Sequence, residues 1–289
     1  MAPNVCNQRR SMSRRFGNYD LEYFFDASLD GAGPLTGAFT NSWPLALSSC
    51  PSGHNGPSLS SSRIVCRVPF LPVPAYEGPG GPNPWKVAMI LAELNVPYKT
   101  EFLTFPELKK EPYEKLCING RVPAIEDPNT NVTLWESGAI IEYLIETYDK
   151  SNSLTYDTVP EKFQVKQWLH FQVSGQGPYF GQAMWFEKYH QEKLPTAQQR
   201  YKDQVLRVYD VLNRALEGRD YLVGDKCTYA DISFIAWDYR FQAVFKGEFA
   251  IEELEKKYPN YVRWHKAVAS RKAIKEVLEE NDRVVAAAH

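Results

Sequence analysis

The chain has 289 residues, which is long enough for one large domain or two ordinary ones. Its 33 basic and 35 acidic side chains nearly balance, so it offers no basic stripe for nucleic acid, and no apolar run is long enough to span a bilayer. The five cysteines are scattered, odd in number and without a C-x-x-C pair. This usage argues against a disulfide framework or a zinc site and favours a reducing compartment, which we expect to be the cytoplasm.

Residues 1–63 form a segment of their own. They are rich in Gly, Ser and Pro and lack sustained periodicity, which predicts a low-complexity, disordered extension. The first nineteen residues carry four arginines and no acid, a composition faintly typical of an organelle transit peptide, but no amphipathic helix follows. A disordered extension or a wrongly predicted first exon explains the same residues more simply.

The stretch GGPNPWKVAMILAELNVPY predicts a tight turn and then an amphipathic helix. From Trp85 onwards apolar residues recur at helical spacing, which leaves Lys86 and Glu93 for solvent. A proline suits the first helical turn, so the turn brings Asn83 and several unpaired backbone N–H groups to the positive end of a helix dipole. Such a turn can hold an anion, or it can be an ordinary loop before a helix.

Strand patterns follow this helix. YKTEFL alternates and is rich in β-formers, so it predicts a strand. GRVPAIEDPNTNVTLWES predicts a hairpin with strands at Val122–Ile125 and Val132–Trp135, and SGAIIEYLIETY predicts the next helix. This order describes a small α/β sandwich, which we place at residues 64–150.

Only helical patterns follow, in a second domain that we place at residues 158–280. A long helical stretch is predicted to break at Ser174–Pro178, where Gly and Pro cluster. Further on, Thr228 and Asp231 have the spacing of a capping box, in which hydroxyl and carboxylate bind each other's backbone N–H groups. The sequence therefore predicts an α/β module followed by an all-α module.

These motifs, in this order, resemble the cytosolic glutathione S-transferases. GGPNPWKVAMILAELNVPY resembles the first helix with its catalytic loop, and NGRVPAI resembles the loop that holds the family's cis-proline. WESGAIIEYL resembles the segment that binds the γ-glutamyl end of glutathione, and GDKCTYADISFIAW resembles the capping box of the core helix in the second domain. The resemblance covers roughly residues 73–280 and implies a thioredoxin-like N-terminal domain followed by an all-α C-terminal domain.

Two stretches narrow the branch of the family. NPWKV and FQVSGQGPYFGQAMWF resemble the fungal branch named after the yeast nitrogen-catabolite regulator, and its bacterial disulfide-reducing relatives. In that branch an asparagine replaces the tyrosine, serine or cysteine of other classes. Asn83 stands at that position, and its amide would donate to the glutathione thiolate without acting as a base.

The resemblance also implies which residues hold the rest of glutathione. Val122 would offer backbone groups to the cysteinyl unit through a cis bond to Pro123. Glu136 would take the γ-glutamyl ammonium and Ser137 the carboxylate, although plain helix capping explains both residues equally well. Two cations are candidates for the glycyl carboxylate or are ordinary surface charges: Lys109 and Arg121.

The electrophile site is expected between the domains, beside the SGQGP stretch. We expect at least half of its aromatic-rich wall to be core packing, because such stripes more often are. The candidate residues are Trp168, Phe171, Tyr179, Phe180, Met184 and Trp185.

The sequence departs from the family at the first strand, which should immediately precede the catalytic loop. Counting back from the loop reaches Val73–Tyr76, which contains a proline that an interior strand tolerates poorly. RIVCRVPFL is a better strand but requires the intervening chain to loop out. A normal strand lost at a misplaced splice junction is a third reading, and it would weaken folding or glutathione binding.

The resemblance implies a glutathione transferase. Glutathione, with no metal, would be its co-substrate, and a small hydrophobic electrophile, a disulfide or a peroxide its second substrate. A fungal, cytoplasmic homodimer is expected, active in detoxification or secondary metabolism, with no nucleic-acid or membrane partner. The alternative is a non-catalytic glutathione-binding or regulatory protein with the same fold.

Overall fold

The computed structural model describes residues 64–69, 81–245 and 247–287. The disordered extension predicted for residues 1–63 lies outside these residues. The described residues all belong to one compact unit, Gly56–His289. No helix within them is both apolar enough and long enough to cross a membrane.

The structure is a thioredoxin-like α/β part followed by an all-α part. Within the described residues, the first part comprises β1 (Ile64–Pro69), α1 (Pro82–Glu93), β2 (Tyr98–Leu103), a 3-10 turn (Glu107–Lys109), α2 (Tyr113–Leu116), β3 (Ala124–Asp127), β4 (Val132–Trp135) and α3 (Ser137–Tyr148).

The helical part follows from residue 161. Its elements are α4 (Glu161–Phe171), a π-helical turn (Gln172–Gln176), α5 (Gly177–Met184), a second π-helical turn (Trp185–Tyr189), α6 (Pro195–Ala215), α7 (Tyr229–Val244), a 3-10 turn (Gly247–Phe249), α8 (Ile251–Lys257), α9 (Pro259–Ala269) and α10 (Lys272–Ala287). The change from sheet to helices supports our division at 64–150 and 158–280, which stays a proposal.

The strands pair in the order β2-β1-β3-β4, with β1 parallel to β2 and antiparallel to β3. Because Arg67 pairs with Ala124 and Ala124 pairs with Trp135, the end of β1, the start of β3 and the end of β4 share one edge of the sheet. The end of β2 lies there too, since Pro69 pairs with Leu103. These four strand ends therefore lie close together.

Ile64–Pro69 supplies the first strand. The upstream candidate RIVCRVPFL is thus correct, whereas Val73–Tyr76 lies outside the described residues, as does the connection at 70–80. Because β1 and β2 are parallel, α1 lies in the crossover connection between them. Whether this departure from the family's sequence pattern weakens glutathione binding stays a prediction.

The hairpin is confirmed with one shift. β2 and β4 have the predicted bounds, but β3 begins at Ala124 rather than at Val122. Pro123 precedes it and has no N–H to donate to a neighbouring strand, so regular pairing starts after the proline, two residues later than predicted.

Helix α1 differs from its prediction in two ways. It begins at Pro82 rather than near Trp85, and the expectation that Lys86 and Glu93 face solvent is wrong. Lys86 is fully buried, and Glu93 accepts two hydrogen bonds from the Arg271 guanidinium, at 2.8 and 2.5 Å. The reason is that α1 packs against α3 and also against α7 and α10, so it has more than one buried face.

The break predicted at Ser174–Pro178 is wrong. The helix continues from α4 through the π-helical turn into α5, and Pro178 falls in the first turn of α5. Because the helix is continuous here, Pro178 removes one backbone N–H from its interior, and the π-helical turn just before it is where the backbone adjusts. Single π-helical turns of this kind are often found at functional sites.

Helix α7 is the centre of the helical part. Residues 229–238 are all buried, which explains why its sequence shows little amphipathic pattern. The predicted capping box is confirmed: the Thr228 backbone N–H donates to Asp231 Oδ2 at 2.8 Å. Asp231 Oδ1 also accepts from the Trp264 indole at 2.8 Å, so the start of α7 is fixed on α9.

Candidate functional site

The loop before β3 has the geometry that the resemblance implied. The Val122–Pro123 peptide bond is cis, Pro123 is buried and Val122 is half-buried. Arg121, the residue before Val122, is held by two hydrogen bonds to its backbone carbonyl. The Tyr113 hydroxyl donates to this oxygen at 2.6 Å and Cys117 Sγ donates at 3.2 Å. This loop therefore holds its backbone in a fixed form at the edge of the sheet.

The two candidate cations lie beside this loop. Lys109 is exposed, and its ammonium donates to the Asn119 carbonyl at 3.2 Å. Arg121 is also exposed. Both side chains are thus accessible to an anionic ligand, and their assignment to the glycyl carboxylate stays a prediction.

Glu136 and Ser137 stand where β4 passes into α3. Glu136 is the residue before the helix, with φ of 72°, ψ of 111° and no side-chain capping hydrogen bond. A strained backbone conformation of this kind in a residue other than glycine costs of order 1–3 kcal/mol, and such strain clusters at active sites and ligand-binding segments. Ser137 is the buried first residue of α3 rather than its cap, so simple capping does not explain this pair.

The start of α1 contains fewer backbone donors than the sequence suggested. Gly81 precedes the helix, and Pro82 and Pro84 occupy two positions of its first turn, where they have no N–H. The expected group of several backbone N–H donors is therefore reduced. The half-buried side-chain amide of Asn83 becomes the principal donor at this helix end.

A residue that sequence reasoning missed fixes this amide. The Trp237 indole Nε1 donates to Asn83 Oδ1 at 2.9 Å, across 154 residues of sequence. Trp237 lies on α7 and is buried. Trp237 ends the motif GDKCTYADISFIAW, in which an apolar residue is equally compatible with core packing, so no sequence signal predicts the contact.

A buried polar relay also joins the two parts of the structure. Lys86 Nζ donates to Gln172 Oε1 at 2.6 Å, and Gln172 Nε2 donates to Gln176 Oε1 at 3.0 Å. Gln176 Nε2 then donates to Asp238 Oδ1 at 3.0 Å. We call these four fully buried residues the amide relay.

The electrostatics of the amide relay favour neutral end groups. Burial lowers the pKa of the Lys86 ammonium to about 7, although the negative charge of Glu136 opposes the shift. Burial likewise raises the pKa of the Asp238 carboxyl well above its usual value. The influence of Glu136 on Lys86 shows that the start of α3 lies within electrostatic reach of α1.

The aromatic candidates for the electrophile pocket divide into residues buried in the core and residues only partly buried at its edge. Phe180 is fully buried against Tyr209 and Phe241, so its assignment to the electrophile pocket is wrong and it belongs to the core. Trp168 and Phe171 pack edge to face, with ring centroids 5.8 Å apart.

The remaining pocket candidates stay on the margin of the core. Trp168, Phe171, Tyr179 and Met184 are partly buried against it, and Trp185 is 39% exposed. The assignment of these residues to the pocket stays a prediction.

The helical part approaches the start of α3 at the π-helical turn. A Cβ added to Gly138 would lie 3.3 Å from Val173 Cγ1. Phe171 immediately precedes this turn.

Among the described residues, no group of three or more His, Cys, Asp or Glu side chains is arranged to hold a metal ion.

Two family models match the chain. A model for the N-terminal domain of glutathione S-transferases matches residues 80–147. A model for the C-terminal domain of the same proteins matches residues 179–281.

Individual proteins match over most of their length. The glutathione S-transferase-like protein gedE of Aspergillus terreus is 41% identical over 218 residues, which are 72% of this chain and 95% of that protein. Protein URE2 of Candida maltosa is 37% identical over 231 residues, with 67% of this chain and 69% of that protein covered. The crystal structure of the glutathione transferase URE2P6 of Phanerochaete chrysosporium, in complex with oxidized glutathione, has a TM-score of 0.69 and 39% identity and covers 78% of this chain and 98% of that one.

Proposed function

The chain belongs to the glutathione S-transferase family, and from that premise we propose that it binds glutathione, ionises its thiol at Asn83 and transfers the thiolate to an electrophile. One observation carries the proposal. The cis Val122–Pro123 loop and the strained Glu136–Ser137 junction adjoin the same edge of the sheet, and Lys86 near the start of α1 lies within electrostatic reach of Glu136. A tripeptide with a thiol, two carboxylates and an ammonium needs such converging groups.

Each part of glutathione has a matching group. Val122 would pair its backbone with the cysteinyl unit, in the register that the cis bond to Pro123 sets. Glu136 would hold the γ-glutamyl ammonium, while Ser137 and the first N–H groups of α3 hold the carboxylate. The URE2P6 complex with oxidized glutathione supports this reading of the family fold.

The glycyl carboxylate would lie toward Lys109 and Arg121. Both cations are exposed beside the cis-proline loop. Exposed pairs of this kind contribute up to about 1 kcal/mol, so they would guide the ligand more than anchor it.

The chemistry requires an ionised sulfur. A free thiol has a pKa of about 8.5, and lowering it by about two units stabilises the thiolate by roughly 2.7 kcal/mol. The Asn83 amide and the positive end of α1 can supply part of this, but an amide cannot accept the proton, which leaves to solvent. The thiolate then forms an S–C bond with the electrophile, whose leaving group departs with its electron pair.

The electrophile would bind where the helical part meets the glutathione site. The proposed wall consists of Trp168, Phe171, Tyr179 and Met184, which are partly buried. Phe171 immediately precedes the first π-helical turn, which contacts the start of α3, and Trp168 packs against Phe171, which supports this placement.

Titration of bound glutathione in wild type and Asn83→Ala tests the proposal. Thiolate absorbance against pH gives the thiol pKa, and retention on glutathione-agarose gives binding. Turnover is assayed with a chloronitrobenzene, a hydroperoxide and a mixed disulfide. We expect retention by both proteins, a higher thiol pKa in the variant and roughly tenfold lower turnover, since about 1.4 kcal/mol corresponds to a factor of ten. An unchanged thiol pKa and unchanged turnover in Asn83→Ala would overturn the proposed mechanism.

A second candidate is a non-catalytic glutathione-binding or regulatory protein. The match to Protein URE2 of Candida maltosa, and the resemblance of the NPWKV stretch to the branch of the yeast regulator, favour it. Retention on glutathione-agarose without turnover of any of the three substrates supports this candidate.

We extend the proposal to a cytoplasmic homodimer that serves detoxification or secondary metabolism. The family membership alone supports these features. Sedimentation equilibrium of the purified chain tests the oligomeric state.

A further inference from the structure

We propose that Trp237 is a positioning residue: its indole N–H holds the Asn83 side chain so that Nδ2 faces the glutathione sulfur. This inference rests on the proposed function and deepens it. It assigns part of the thiol's ionisation to the helical part of the chain, which does not itself carry the sulfur-binding residue.

The orientation of the amide follows from the chemistry of its partner. An indole N–H can only donate, so the atom of Asn83 that faces it at 2.9 Å must be the carbonyl oxygen. The other end of the same planar group is Nδ2, the donor that a thiolate requires. A free asparagine could present either end, and its oxygen would repel the thiolate.

The indole of Trp237 packs against two glycines of α5. A Cβ added to Gly177 would lie 3.5 Å from Trp237 Nε1, and one added to Gly181 would lie 3.4 Å from Cη2. These glycines are four residues apart on α5, so both are on the face that meets α7. The indole therefore lies close to the α5 backbone at both positions.

The amide relay restrains α1 at a second point. Lys86 follows Asn83 by three residues and so lies on the same face of α1. It is connected through the two glutamines to Asp238, the residue after Trp237. Adjacent residues of α7 thus hold successive turns of α1, which keeps the indole in register with the amide.

The experiment compares Trp237→Phe with wild type. Phenylalanine keeps an aromatic ring against α5 but has no donor. We expect the pKa of the bound glutathione thiol to rise by roughly 0.7, the equivalent of a fivefold loss of thiolate below that pKa. The value of kcat/KM at such pH falls by about the same factor, while the affinity for the thioether S-methylglutathione, which has no thiol to ionise, stays the same.

Trp264→Phe is the matched control. The Trp264 indole is fully buried and donates to Asp231 Oδ1 at 2.8 Å, away from Asn83. Its loss lowers the unfolding temperature without moving the thiol pKa. A general effect of losing a buried indole hydrogen bond would move the thiol pKa in both variants and would overturn the proposal.

A double-mutant cycle separates this inference from the proposed function. In an Asn83→Ala background, Trp237→Phe should have no further effect on the thiol pKa, because the amide that it orients is gone. An additive effect overturns the positioning role. If Asn83→Ala raises the thiol pKa and Trp237→Phe does not, the positioning role fails alone; if neither does, the proposed function fails as well.

A second variant covers the case in which Trp237→Phe does not fold. Gly181→Val keeps both Trp237 and Asn83 but adds bulk where the indole edge already lies at contact distance. It should displace the ring and raise the thiol pKa in the same direction. An unchanged thiol pKa in a folded Gly181→Val protein, with the indole shown to be displaced in a crystal structure of the variant, contradicts the proposal.

Discussion

A neutral amide can stabilise a thiolate but cannot take its proton, so the orientation of Asn83 decides whether it helps at all. The indole of Trp237 fixes that orientation. The prolines on either side remove competing backbone donors from the first turn of α1. At this scale, one side-chain hydrogen bond from a distant helix determines what the residue can do.

The buried Lys86 side chain makes the stability of the protein depend on pH. Its folded-state pKa is lowered to about 7 by burial, whereas in the unfolded chain a lysine keeps its proton to about pH 10.4. The unfolded state therefore binds more protons in that window, and Lys86 makes the protein more stable as pH rises. From pH 7 to 8 we expect the unfolding free energy of wild type, relative to Lys86→Met, to increase by about 1 kcal/mol.

Denaturant unfolding at several pH values measures this difference. The charged group that acts on Lys86 from another element is Glu136 at the start of α3, while Asp238 on α7 lies at the far end of the amide relay, and both remain in the variant. Lys99, exposed on β2, is the matched control, because its ammonium stays in water. Parallel stability curves for wild type and Lys86→Met would show that the buried ammonium keeps its proton.

Among the secondary-structure elements, the start of α7 is held by a group of four hydrogen bonds to one carboxylate. Asp231 accepts from the Thr228 backbone and hydroxyl, from the Leu222 N–H at 2.9 Å and from Trp264. Removing the Thr228 hydroxyl breaks one of these bonds in a fully buried setting. We expect Thr228→Ala to lower the unfolding free energy by about 1–2 kcal/mol, at the upper end for helix caps.

The chain offers a matched comparison for this cap. Thr158 and Glu161 have the same spacing at the start of α4, with the hydroxyl donating to the carboxylate at 2.8 Å, but Thr158 is exposed. Thr158→Ala should therefore cost less than Thr228→Ala in urea unfolding. Equal losses would mean that burial adds nothing to the cap.

At the scale of the whole molecule, the sequence predicted what local patterns determine. The β-hairpin, the capping box of α7 and, through the family resemblance, the cis Val122–Pro123 bond were all predicted. Each depends on residues close together in the chain.

What the sequence could not predict depends on packing between distant segments. Lys86 was assigned to solvent because periodicity assumes one buried face, whereas α1 is covered by both parts of the structure. The cluster of Gly and Pro at 174–178 favoured a break, but a π-helical turn accommodates it. The hydrogen bond between Trp237 and Asn83 joins residues 154 positions apart, so no local sequence pattern predicts it.

Helix α1 packs against α3 and also against α7 and α10. The core around α1 is therefore built from side chains of both halves of the chain. A truncated fragment ending at residue 150 would leave the Lys86 side of α1, and the apolar surface around it, open to water. We expect such a fragment to aggregate on expression while 64–289 stays in solution, as a pelleting assay would show. A well-behaved monomeric fragment would mean that the first half folds by itself.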